Sequence, residues 1–173
     1  ADGIKLKSNI NEFIQKFSLS KYSTAPVRFE KEVLAKVSRK LLSSLRVDEI
    51  SDLLGSIGVP NEMKEDFWIM AKDNIDAKEE LADIWNLCKD GVNKPVIAPE
   101  DKQFIKLAIS LIGEYPREKD SWQKLTDELK TLTGRKGKDL FMPLRSFLTG
   151  KKDGPDMKKL FPLMQKIQKP GSS

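Results

Sequence analysis

Apolar residues three and four positions apart recur along nearly the whole chain, and that spacing permits little except packed helices. Ile10, Phe13, Ile14 and Phe17 follow a capping residue at Ser8. Val33, Leu34, Val37, Leu41 and Leu42 mark a second helix, and Ile50, Leu53, Leu54 and Ile57 a third, closed by Gly58 and Pro60. Phe67, Trp68 and Met70 predict a fourth; Leu81, Ile84, Trp85 and Cys88 predict a fifth. At about 100° per residue, such sets line one helix face. No alternating run exceeds about four residues, too short to argue for a sheet. The expected fold class is therefore all-α.

The stretch VNKPVIAP (92–99) carries two prolines and interrupts the pattern. It predicts a boundary between two small helical subdomains in tandem, 9–94 and 95–169. Residues 1–8 are expected to be a flexible extension and 170–173 a flexible tail. Beyond the boundary, Pro99 opens a helix with Phe104, Ile105, Ala108, Leu111 and Ile112. Asp120 or Ser121 caps the next, which carries Trp122, Leu125, Leu129 and Leu132 and ends at Gly134. DLFMPLRSFLTG predicts a short helix ended by Gly150. Pro155 opens a last helix with Leu160, Phe161, Met164 and Ile167, in which Pro162 predicts a kink or an early stop. Trp68, Trp85, Trp122 and Cys88 lie on apolar stripes and read as core.

Composition removes several functions. The 173 residues include no histidine. A Ser-His-Asp triad, a Cys-His dyad and a His-containing metal site are thereby excluded. A single cysteine excludes an internal disulfide and fits a reducing, cytoplasmic compartment. No window approaches the roughly 18 apolar residues of a membrane span, and the first residues lack the apolar run of a signal peptide. No metal-ligand spacing and no glycine-rich phosphate loop is present. The expectation is a chain with no catalytic centre, no metal and no cofactor of its own, acting as a monomer.

The net charge of +5 is unevenly placed. Residues 134–169 hold ten Lys or Arg against three Asp, a net +7, which leaves −2 for the rest. Concentrated positive charge suits a phosphate-bearing partner. In the helix from Phe141 to Thr149, Leu140, Leu144, Phe147 and Leu148 share one face and Arg145 sits at its edge. Its stem can lie on the core while the guanidinium reaches outward, where a planar donor can read a base edge or clamp a phosphate. The basic turns TGRKGK and GKKDGP flank this helix. Arg135, Lys136, Lys138, Lys151 and Lys152 are the candidate phosphate contacts. The same basic face also fits a protein-interaction module without RNA specificity, and on charge alone both readings stand. A free-standing enzyme using paired carboxylates finds no pair spaced for it.

The stretch GRKGKDLFMPLRSFLTGKKDGPDM (134–157) resembles the C-terminal signature of bacterial glutamyl-tRNA synthetases. There a Lys-Gly-Lys-type turn leads into a Pro-Leu-Arg helix, then Thr-Gly, then a Gly-Pro-type turn. FSLSKYSTAPVRFE (17–30) and FWIMAKDNIDAKEELADIW (67–85) are similar to earlier elements of that family. The likeness implies the helical cage that reads the anticodon in these class I synthetases. It implies tRNA as the partner, and a catalytic domain elsewhere that attaches glutamate using ATP and Mg. Lys36-Val37-Ser38-Arg39-Lys40 imitates that domain's ATP loop but falls on a helix stripe. By the same likeness, Arg145, Thr149, Gly154, Pro155 and Met157 fall where the family meets the first anticodon bases. Lys72 or Asn74 falls where it meets the third. Gly154 replaces a frequent hydroxyl residue, and Lys158 stands where an aromatic is expected. Neither Lys nor Asn gives the bidentate discrimination of an arginine, so both glutamate and glutamine tRNAs are expected to be accepted.

Overall fold

The computed structural model describes residues 31–93, 95, 97–113 and 118–167, with side chains from residue 36 onward. Among them are eight α-helices and no strand. The first predicted helix, around Ile10 to Phe17, lies outside the described residues.

Helix α1 (Lys31–Ser44) contains the Lys36 to Lys40 stretch. The Ser38 hydroxyl donates to the Asp76 carbonyl (2.7 Å) and Arg39 Nε donates to the Asp76 carboxylate (2.7 Å). These residues dock a helix on the 72–79 loop. Helix α2 (Val47–Ser56) begins with Asp48 and Glu49 in its first turn, where carboxylates favour the helix dipole. The Arg46 amide donates to the Glu49 carboxylate (2.8 Å), satisfying one of the amides left open at a helix start. A 3-10 turn (Asn61–Met63) leads into α3 (Lys64–Ala71). Trp68 on α3 is buried and its indole N–H donates to the Leu45 carbonyl (2.9 Å), fixing α3 against the α1–α2 junction. In α4 (Glu80–Asp90), Trp85 meets Phe67 edge-on at 5.5 Å. Cys88 is fully buried, and burial pushes its thiol up to about 12, a protonated and inert group at neutral pH.

A 3-10 turn (Pro99–Asp101) leads into α5 (Lys102–Ile112). Helices α6 (Ser121–Thr133) and α7 (Lys138–Thr149) follow, each ended by a left-handed glycine, Gly134 and Gly150, as the sequence predicts. Asp120 stands at the start of α6, but its side chain makes no capping hydrogen bond.

The last helix begins two residues later than Pro155. Asp156 caps it by accepting from the Lys158 amide (2.9 Å). This α8 (Met157–Leu160) tightens at once into a 3-10 turn (Phe161–Leu163), the early stop that Pro162 forces. Met157, Leu160, Phe161, Leu163 and Met164 are all buried. α8 packs on both α3 and α6, and its 3-10 continuation reaches α4 and α6. Phe161 meets Trp122 of α6 at 5.4 Å. The Gln165 amide donates to the Cys88 carbonyl (2.7 Å) at the end of α4. One continuous apolar core therefore includes residues from both sides of the 92–99 stretch.

Phe161 is fully buried at the centre of this junction. Phe161→Ala should lower stability by about 3–5 kcal/mol. Urea unfolding followed by circular dichroism measures this, and a loss below about 1 kcal/mol would contradict the assigned packing.

Candidate nucleic-acid interface

Helix α7 carries a proline in its interior, Pro143. A proline has no N–H to donate four residues back, so the Asp139 carbonyl loses its helical partner. Arg135 supplies the replacement: its Nη1 donates to the Asp139 carbonyl (3.2 Å) and to the Asp101 carboxylate (2.5 Å). Its Nη2 donates to the Glu100 carbonyl (3.3 Å), and the guanidinium lies 4.4 Å from the centre of the Phe104 ring. The sequence points Arg135 at phosphate; in the structure its guanidinium, with the side chain 27% exposed, also meets acceptors of the chain itself that a proline and a carboxylate provide. Lys136 and Lys138, in the same turn, are exposed.

At the other end of α7 the turn is built around Thr149, which is 8% exposed. Its hydroxyl donates to the Arg145 carbonyl (2.8 Å) and accepts the Lys151 amide (3.1 Å). Gly150 has φ +69°, and a Cβ there would stand 3.4 Å from a Val92 methyl, so the turn lies close on the 92–98 stretch. Thr149 faces inward and shapes the turn that the two exposed lysines, Lys151 and Lys152, project from.

Arg145 is half-buried. Its Nη2 donates to the Pro155 carbonyl (3.0 Å), ten residues ahead. Its Nη1 is shielded from solvent and has no hydrogen-bond partner among the described residues. The guanidinium thus folds under the 150–156 turn rather than reaching outward from the helix edge. Gly154, at φ +122°, forms the roof of this arrangement; a Cβ there would lie 3.8 Å from Nη1. The structure brings together Arg145, Thr149, Gly154 and Pro155. Met157 faces the core at 4% exposure, so its side chain seats the turn.

Lys72 and Asn74 lie at the end of α3. Lys72 is half-buried, and its amide donates to the Trp68 carbonyl (3.0 Å). Asn74 is exposed, with Nδ2 donating to the Met70 carbonyl (3.1 Å). Their helix packs on α8, which begins just after Pro155. The two sequence-distant sets of candidate residues are thus carried by elements in contact. Among the described residues, no cluster of three or more acids or cysteines could hold a metal ion, and no helix is long and apolar enough to cross a membrane.

Nearly the whole chain matches curated proteins. Glutamate–tRNA ligase 2 of Ruegeria sp. (strain TM1040) is 41% identical over 171 residues, covering 99% of this chain and 38% of the relative. Glutamate–tRNA ligase 1 of Ruegeria pomeroyi is 39% identical over 171 residues, again 99% and 38%. The chain is similar to these ligases over nearly its whole length. It spans about two fifths of the length of the ligases it matches. A glutamate–tRNA ligase 2 of Cereibacter sphaeroides (strain ATCC 17029 / ATH 2.4.9) is 39% identical over 168 residues, 97% of this chain. No protein-family profile matches the chain. The resemblance seen in the 134–157 stretch therefore extends along the chain as similarity to these ligases.

Thr149→Val keeps the volume but removes the hydroxyl from both of its bonds. It should lower stability by about 1–2 kcal/mol, while Thr149→Ser restores most of the loss. Thermal unfolding of the two variants checks this; equal losses would contradict the role of the hydroxyl.

Proposed function

We propose that the chain is the C-terminal anticodon-binding region of a glutamate–tRNA ligase. It holds the anticodon loop of tRNA while a separate domain, using ATP and Mg, attaches glutamate in the cytoplasm. The chain performs no aminoacylation alone. The single observation carrying this reading is that 99% of the chain matches glutamate–tRNA ligases at 41% and 39% identity, a match that takes in the turn where Arg145 is held by the Pro155 carbonyl. A buried guanidinium N–H is costly to leave unpaired. Nη1 of Arg145 is shut off from solvent in the free chain, so the 150–156 turn opens for the edge of an unstacked base, or a phosphate beside it, to supply an acceptor. The relation to glutamate–tRNA ligases supports tRNA as the source of that base.

In this reading Arg145 with the Gly154-Pro155 backbone meets the first anticodon bases. Lys72 or Asn74 meets the third. Lys136, Lys138, Lys151 and Lys152 are exposed and hold phosphates, giving salt-dependent affinity without sequence preference. Arg135, partly exposed and with Nη1 already on Asp101 and the Asp139 carbonyl, joins them with its remaining donors. The two tandem subdomains, 9–94 and 95–169, form the helical cage as a monomer. Neither Lys72 nor Asn74 offers an arginine's paired donors, which favours acceptance of both glutamate and glutamine tRNAs.

A titration of the chain with tRNA transcripts carrying glutamate, glutamine and scrambled anticodons tests this reading. The first two should bind within about threefold of each other and the scrambled one more weakly by about 1–3 kcal/mol. Arg145→Gln should abolish that preference while leaving the fold intact. Indifference of the unmutated chain to anticodon sequence would favour a protein-interaction module instead.

A further inference from the structure

A groove of about 230 Å³ opens between α3 and α8. Its floor is apolar: Ile69, which is 41% exposed, together with Pro162 and Leu163. Its rim carries Lys119, Lys158 and Lys159, all exposed. Asp66 is the one acid among its described lining residues and lies 3.8 Å from Lys119, leaving the lining at a net +2.

An exposed isoleucine beside three exposed lysines is an unusual surface, because apolar area of this kind favours being covered. The charges select an anion as the occupant. Lysines are strongly hydrated point charges with three donors each, suited to phosphate rather than to planar base edges. The described lining holds no aromatic ring on which a base could stack. Position supplies the second argument. Ile69 lies one turn before Lys72 on α3, and α8 starts directly after Pro155. The groove is therefore lined by the same two helices that lead to both sets of candidate reading residues.

We propose that the groove grips the sugar–phosphate backbone of one nucleotide of a bound RNA, with the ribose over Ile69 and Pro162 and the phosphate among the three lysines. This inference rests on the RNA-binding reading above and adds a contact that carries no sequence information. Pro162 serves here twice: it ends α8 early and its ring forms a wall of the groove.

The test uses the full chain and the tRNA transcripts with glutamate and scrambled anticodons, over a series of salt concentrations. The triple variant Lys119→Ala, Lys158→Ala, Lys159→Ala should weaken both tRNAs by the same factor, roughly tenfold or more at low salt. Its log–log salt slope should fall by about 1–2, the signature of one or two lost phosphate contacts. Ile69→Ala should weaken both about threefold with the slope unchanged. Circular dichroism confirms that these surface variants are folded. Triple-variant binding within twofold of the unmutated chain, with the anticodon preference and slope intact, overturns the groove contact and leaves the anticodon reading standing. Loss of anticodon preference in the unmutated chain removes that reading and this inference together. Binding of polyglutamate as tight as tRNA, and lost in the triple variant, overturns the inference in favour of an acidic protein partner.

Discussion

The fold turns on burial of the short apolar segment that closes the described chain. Met157, Leu160, Phe161, Leu163 and Met164 leave water together within eight residues. Burying a side chain of this size is worth about 1.5–3 kcal/mol, so the segment outweighs the backbone ordering of a single helical turn. Because its contacts fall on α3, α4 and α6, it joins the earlier helices to the later ones. It also fixes the near end of the 150–156 turn, whose far end is fixed by Thr149 and Gly150. Held at both ends, the turn keeps the Pro155 carbonyl 3.0 Å from Arg145.

Much of this was legible in the residues. Apolar spacing located α1 to α7, because an amphipathic helix repeats its apolar residues every three or four positions and that stripe is a one-dimensional pattern. The glycines after α6 and α7 were legible for the same local reason: a left-handed residue at a helix end costs glycine little. Tryptophans 68, 85 and 122 lie in the core, as their stripes imply. The last helix was overestimated, since Pro155, Leu160, Phe161, Met164 and Ile167 keep helical spacing across a turn that Pro162 tightens.

The candidate site was less legible, because side-chain direction depends on partners far away in sequence. Arg135 looked like a free cation in a basic turn. Its actual partners sit 34 residues earlier at Asp101 and at a carbonyl left open by Pro143. Arg145 was placed correctly on its helix edge, yet the carbonyl that folds it inward belongs to the turn ten residues on. The α3–α8 groove could not be read at all. It is assembled from Asp66, Ile69, Lys119, Lys158, Lys159, Pro162 and Leu163, which only tertiary packing brings together.

In the proposed function these elements divide the work of holding RNA. Exposed lysines on the two turns and along the groove supply attraction that falls with salt, while one guanidinium held beneath a turn supplies a directional donor. The central claim is that this donor meets an anticodon base. Chemical footprinting of a glutamate tRNA bound to the chain measures it most directly. The account predicts that the anticodon bases become protected from base-modifying reagents, and that Arg145→Gln removes that protection. Protection confined to the phosphate backbone, with the anticodon bases as reactive as in free tRNA, would contradict it.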